Sequence, residues 1–276
     1  MFTHLKLLKA DIVFLQETHL RSSEHSKFLS GWAGQCFHST FQAKARGVAI
    51  LVSKDVLFEP TQISADRNGR FVIVSGKLFD TNIVLANIYA PNVDDVAFFE
   101  LVFSKLPELD SQFLVLGGDF NCWLDPELDR SSTKSATRSK SASYIQSFLS
   151  ECGISDIWRS LHPTDRTYSF FSHVHHTYTR IDHLFVDDRI APQVGSCDYQ
   201  SIVISDHAPL VMSMTFSGIP KPTRHWRFNS TLLSNEKFVK FMEGQISLFL
   251  DINNTPDVSA LTVWDALKAY MRGQII

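Results

Sequence analysis

The feature that most constrains this chain is a series of short apolar runs, each stopped by polar residues, glycine or proline. Ile12–Gln16, Val48–Ser53, Phe71–Lys77, Ile83–Tyr89, Phe113–Gly117, Ile181–Val186, Ser201–Ile204 and Leu210–Phe216 are rich in Val, Ile, Leu and Phe and too short for helices. Several lack polar alternation, as strands covered on both faces do. Helical patterns fall between them. Asp94–Lys105 opens with acids and then spaces its apolar residues helically, and Ser141–Ser150 repeats this before Cys152-Gly153, a C-terminal stop. Phe2–Lys9 reads as the end of a helix. The short Leu-Phe-Asp-Thr-Asn link between Phe71–Lys77 and Ile83–Tyr89 calls for a hairpin, not a crossover. The expected fold class is α/β, with sheets packed face to face and helices outside.

With 276 residues, 44% of them hydrophobic, the chain can bury a sizeable core. Its net charge of −3 lacks the basic excess of a dedicated nucleic-acid binder, so contact with a polyanion must come from a local patch or a bound cation. The most basic stretch, Arg130–Tyr144, contains no acid and reads as an exposed loop leading into a helix. Cys36, Cys122, Cys152 and Cys197 form no CxxC pair, which argues against a zinc site and for buried thiols in a reducing compartment. No signal peptide or membrane span is evident, so the chain reads as soluble and intracellular. Ser217–Pro222 marks a boundary between residues 1–217 and 218–276; Leu232–Leu250 beyond it is amphipathic and Leu261–Arg272 helix-prone.

The runs end in groups that can do chemistry. Glu17, in Gln16-Glu17-Thr18-His19, follows the first strand, where α/β proteins often place catalytic groups. In Asn87-Ile88-Tyr89-Ala90-Pro91-Asn92, Tyr89 can donate to a phosphate and Asn92 can touch substrate, although a core Tyr and a turn Asn fit equally well. In Gly117-Gly118-Asp119-Phe120-Asn121, the two-residue spacing points Asp119 and Asn121 to one side, unless the segment is an Asx turn. Asp182 opens an otherwise apolar strand and needs a partner. In Ser205-Asp206-His207, Asp206 can ligate a metal, and His207, held in one tautomer by Asp182, can meet the scissile phosphate. Oxygen donors without thiolates suit Mg²⁺, with Mn²⁺ as the alternative.

As an ordered set, Gln16-Glu17-Thr18, Tyr89-Ala90-Pro91-Asn92, Gly118-Asp119-Phe120-Asn121, Arg180-Ile181-Asp182-His183 and Ser205-Asp206-His207 resemble the endonuclease/exonuclease/phosphatase superfamily. Asp129-Arg130-Ser131-Ser132 and Tyr168-Ser169-Phe170-Phe171-Ser172 look like the endonuclease domain of long interspersed (non-LTR) retrotransposons. The resemblance implies a deoxyribonuclease I-like two-sheet sandwich over residues 1–217, with residues 218–276 a helical connector toward a reverse transcriptase. It implies Glu17 and Asp206 as metal residues, and Tyr89, Asp119, Asn121, Asp182 and His207 as catalytic ones. DNA would be met by Asn92, Arg130, Ser169, Ser205 and a groove-entering hairpin carrying His175, His176 and Tyr178, with further phosphate contacts from Lys134, Arg138 and Lys140.

The implied activity is Mg²⁺-dependent nicking of one DNA strand, in the nucleus, leaving a 3′-hydroxyl that primes reverse transcription. The family's first strand, which brings an Asn to the site, precedes the helix ending at Lys9. The resemblance therefore implies an N-terminally truncated chain whose activity depends on upstream residues. An apurinic or exonuclease III-like repair nuclease is the alternative within the class, and a non-catalytic nucleic-acid-binding relic the alternative outside it.

Overall fold

The computed structural model describes residues 5, 7–29, 32–42, 44–132, 137–174, 176–203, 205–215, 232, 233 and 235–275. The chain divides into two compact units, Met1–Pro222 and Thr223–Ile276.

In the first unit, β1 (Ile12–Leu15), β2 (Ala33–Ser39) and β3 (Val48–Ser53) form an antiparallel sheet in the order β1-β3-β2, with the short helix α1 (Ser26–Leu29) before β2. The central sheet has six strands: β4 (Phe58–Ala65), β5 (Phe71–Leu78), β6 (Thr81–Tyr89), β7 (Phe113–Asp119), β8 (Ile154–Asp156) and β11 (Asp182–Asp187). Their order is β4-β5-β6-β7-β11-β8. Only β6 and β7 run parallel, and α2 (Val96–Ser104) lies in the crossover between them. The helices α3 (Lys140–Cys152) and α4 (Ile157–Leu161) flank β8. A small pair, β9 (Phe170–Ser172) with β10 (Thr177–Thr179), and a hairpin, β12 (Val194–Tyr199) with β13 (Leu210–Met214), complete the unit. Among the described residues, β1 and β13 each have a strand neighbour on one side only.

The two-residue period of a strand sorts the core into layers. Ile73, Val84, Ala86 and Ile88 face α2 and α3, where they meet Phe99, Val102 and Ile145. Val72, Val74, Leu85 and Val115 face the other way, onto Val48, Ile50 and Val52 of β3. Cys197, Leu210 and Met212 of the last hairpin join this inner layer. The far face of β3, with Ala49 and Leu51, packs on Phe28 and Ala33. The result is the expected α/β sandwich of two sheets flanked by helices.

Helix ends follow the local chemistry. Asp95 caps α2 by accepting from Phe98 N, and Ser139 caps α3 by accepting from Ala142 N. Gly153 ends α3 in the left-handed region at φ 63°. Gly118 has φ 136°, and a Cβ there would lie 2.0 Å from the Ile88 carbonyl oxygen, so glycine is required for β7 to approach β6.

One expected strand is corrected. Ser201–Val203 is loop, with Ile202 50% and Val203 65% exposed, and Ile204 lies outside the described residues. The segment belongs to the β12–β13 connection, closed where Gln200 N donates to Pro209 O at 2.8 Å. β2, β4 and β12, which lack long apolar runs, were not expected as strands.

In the second unit, α5 (Glu236–Asn253) and α6 (Ala260–Ile275) pack through Phe249, Val263 and Leu267. Asn235 caps α5, and Tyr270 Oη donates to Gln245 Oε1 at 2.6 Å. No helix among the described residues is long and apolar enough to cross a membrane.

Candidate active site

The candidate residues come from both sheets of the first unit. Glu17 follows β1, held by Thr18 N donating to Gly47 O and His19 N donating to Arg46 O. Its backbone is in the left-handed region at φ 50°, unusual for a side chain with a Cβ, and its side chain is 52% exposed. Asn87, fully buried on β6, ties this segment to the central sheet. Its amide donates to Leu15 O and Ala49 O, each at 2.9 Å, and its Oδ1 accepts from Gln16 Nε2 at 2.6 Å.

Two residues on, Tyr89 Oη donates to Glu17 Oε1. Burial, then this hydrogen bond, push the phenol well above its ordinary pKa, so it stays protonated as a donor. Arg70 steadies it. The guanidinium lies 4.7 Å from the Tyr89 ring centroid, and Nη1 donates to Tyr89 O at 3.2 Å and Ala90 O at 3.0 Å.

Asp119 ends β7, opposite Asp182 at the start of β11. Its Oδ1 accepts from Asn121 N at 2.8 Å and its Oδ2 from Asn121 Nδ2 at 3.2 Å; Nδ2 also donates to Ala90 O at 2.9 Å. Burial, then the charge of Asp182, push the Asp119 carboxyl up to about 8, against the opposing pull of His207 and the Asn121 amide. Asp182 has the partner its apolar strand demands: His207 Nδ1 lies 2.7 Å from Asp182 Oδ2. Burial opposes the imidazolium, but the hydrogen bond and charge of Asp182, with Asp119 and Asp206, outweigh it and hold His207 at about 9. The ligating atoms of Asp119, Asp182 and His207 lie within 4.8 Å of one another.

Asp206 is exposed, accepts from the Ser205 hydroxyl at 3.3 Å and acts on His207 through its charge. Ser205 Oγ also accepts from His207 N at 3.1 Å. Glu17 and Asp206 lie outside the Asp119–Asp182–His207 group, so the two expected metal residues are not gathered with it. The donor set still fits a hard cation. The cluster offers carboxylate oxygens and no thiolate, and a bound cation would favour the charged form of Asp119 that burial disfavours.

The residues expected at DNA divide. Asn92, His176 and Tyr178 are exposed; His175, like Lys134, lies outside the described residues. β9 and β10 pair antiparallel on either side of the segment expected to enter the groove, with Tyr178 against Phe171 at 4.5 Å. Ser169, expected at the DNA surface, is instead fully buried. Its hydroxyl accepts from Ile181 N at 3.0 Å and Asp182 N at 3.1 Å, so it positions Asp182. Arg130 is half-buried, 5.1 Å over the Trp123 ring, and Arg138 Nε donates to Leu124 O at 2.9 Å. Both are anchored, while Ser131, Thr137 and Arg138 are exposed in the expected loop and the helix opens at Lys140.

Sequence reasoning missed the support beneath the site. Arg180, 1% exposed, donates Nε to Asp129 Oδ1 at 2.7 Å, and Nη2 to Asp129 Oδ2 at 3.0 Å and Asp156 Oδ2 at 2.7 Å. Arg159 Nη2 reaches Asp129 Oδ1 at 2.7 Å. Burial opposes charge on Asp129 and Asp156, yet Arg180 holds both carboxyls below the usual range. This network fixes the chain just before Asp182. Its only sequence signal is Asp129-Arg130 and Arg180-Ile181-Asp182, read separately.

Known proteins resemble this chain in sequence or in fold. The chain is 27% identical over 250 residues to the Transposon TX1 uncharacterized 149 kDa protein of Xenopus laevis, with 87% of this chain aligned. It spans about a fifth (19%) of that protein's length. An AP endonuclease from Archaeoglobus fulgidus superposes with a TM-score of 0.63 at 23% identity, over 78% of this chain and 93% of that one. The 3′-5′ exonuclease NExo from Neisseria meningitidis gives a TM-score of 0.58 at 23% identity, over 78% and 94%. The pattern of the Endonuclease/Exonuclease/phosphatase family matches residues 3–207, and the chain belongs to that family.

Proposed function

We propose that this chain is a divalent-metal-dependent DNA endonuclease of retroelement type, which nicks one strand and leaves a 3′-hydroxyl to prime reverse transcription. The observation that carries it is the His207–Asp182 pair at 2.7 Å beside the buried Asp119. A carboxylate with a raised pKa next to an imidazolium is an acid–base arrangement without a nucleophilic side chain. It suits attack by water on phosphorus.

Asp119, aligned by Asn121, takes a proton from the attacking water as the new P–O bond forms. His207, kept charged by Asp182, neutralises charge growing on the phosphoryl oxygens. Tyr89 adds a hydrogen bond. The P–O3′ bond breaks, and the departing oxygen takes a proton from solvent water to become the 3′-hydroxyl. Both Asn121 amide hydrogens are engaged, on Asp119 and Ala90, so its main part is to aim Asp119. Glu17 and Asp206 are the proposed holders of Mg²⁺ or Mn²⁺, with the clustered oxygens of Asp119 and Asp182 as further donors; the ion would supply Lewis-acid stabilisation of phosphate and leaving oxygen. Residues 218–276 are proposed to connect to a reverse transcriptase, a reading supported by the transposon relative and the small share of it that this chain spans.

The test is nicking of supercoiled plasmid with Mg²⁺ by the chain and by Asp119→Ala and His207→Ala. Each variant should lose at least about a hundredfold in rate. Unchanged cleavage in both sinks the catalytic assignment. A parallel assay on an abasic duplex separates the repair reading, which demands strong abasic preference.

A further inference from the structure

The helix α5 carries two apolar faces, and α6 covers one of them. Ile246, Phe249 and Leu250 pack on Val263 and Leu267 of α6. Phe241, Leu248 and Ile252 point elsewhere, 48%, 50% and 65% exposed. They stand seven and four residues apart, so they line up as a second stripe, about a third of a turn round from the first. A surface helix ordinarily has one such stripe. The unit is also short of core. Among its described residues only Met242, Phe249, Val263 and Leu267 are buried. So small a core seldom suffices alone, and association with another chain is a common remedy.

The charges beside the stripe say what covers it. One flank of α5 bears exposed Lys237 and Lys240 near its start and exposed Asp251 near its end. Gly244 lies on the same flank, where a Cβ would meet nothing within 4 Å. Glycine weakens a helix interior, but it lets another backbone come close. This face is complementary to itself. A second copy of α5 laid antiparallel along the stripe, about a two-fold axis, sets the flank against the same flank of its mate. Phe241 then meets Ile252 of the second copy, and Leu248 falls near the axis. Lys240 comes within one helical turn of the second copy's Asp251, and the axis repeats that match.

We propose that the second unit binds a second copy of this chain through an antiparallel, two-fold pairing of α5. The pairing is independent of the nuclease reading.

The test is sedimentation equilibrium of the full chain over a range of concentrations at low salt. The unaltered chain should approach twice its 31.3 kDa mass. Leu248→Asn should weaken association about a hundredfold, because a leucine is lost from each copy. Lys240→Glu and Asp251→Lys should each weaken it about tenfold, and the two together should regain most of that loss. All three side chains are exposed, so helicity by circular dichroism should not change. If Leu248→Asn does lose helicity, the charge exchange decides, since the double variant keeps the net charge of the unaltered chain. An unaltered chain that stays monomeric throughout overturns the proposal, as does a dimer that Leu248→Asn leaves intact with its helices formed. Single reversals without effect, or a double variant no better than either single one, overturn the antiparallel match.

Discussion

Replacing Arg180 by Met tests whether the buried ion network supports the fold. The guanidinium makes three charge-assisted hydrogen bonds to Asp129 and Asp156, at 2.7–3.0 Å. The Asp129 side chain is 0% exposed and that of Asp156 13%, so water cannot replace the lost partner. Asp129 keeps Arg159, and Asp156 keeps the Arg159 backbone N–H at 3.2 Å and His183 at 3.6 Å. Breaking such a pair by removing one member costs about 3–5 kcal/mol. With a urea dependence of about 2–3 kcal/mol per molar, the midpoint should fall by about 1.5 M.

The pH dependence gives a second readout. Arg180 depresses both carboxyls below their unfolded values, so their contribution is complete above pH ~4 and is lost as pH falls toward the folded values. Without the guanidinium, burial favours the protonated carboxyls, so acid relieves the variant. The stability gap should narrow between pH 7 and pH ~3. A gap below about 1 kcal/mol at pH 7, or one that does not narrow in acid, refutes the reasoning.

Three further outcomes follow from the same geometry. Asp182→Asn removes the charge that keeps His207 protonated to about 9, so the alkaline limb of the nicking profile should move down by a unit or more; an unmoved limb shows that the imidazolium is not used. Gly118→Ala forces a Cβ to 2.0 Å from Ile88 O at φ 136° and should cost about 3 kcal/mol or more, measured by denaturation. Asn87→Ala strands Leu15 O and Ala49 O and frees Gln16. It should lower stability by about 2–3 kcal/mol and weaken Mg²⁺ dependence more than Gly118→Ala does at matched stability.

Central strands were legible where both faces are covered. β3, β5, β6, β7 and β11 are apolar runs because helices or the opposite sheet cover each side. β4 was hidden because five consecutive positions, Glu59–Ile63, are exposed and its sequence reads as polar loop. Ile202-Val203 misled for the converse reason: apolar composition marks a strand only if something covers it. At the site, Asp182 pointed to a partner because a carboxylate in an apolar strand needs one, and His207 is that partner. The Arg180–Asp129 contact joins positions 51 apart, and Asn87–Gln16 joins positions 71 apart. Nothing in either local pattern names the other residue, so only the folded topology shows them.

The division of the site between sheets has a consequence for synthesis. Glu17 follows a strand of the three-stranded sheet, while Asp119 ends one strand of the six-stranded sheet and Asp182 opens another, and Asn87 links the two. Asp119 and Asp182 meet once β7 and β11 pair, whether or not the sheet that carries Glu17 has docked. On the proposed function, cutting power would appear only when both sheets have docked in register, and a misfolded copy would be harmless to the nucleic acids around it.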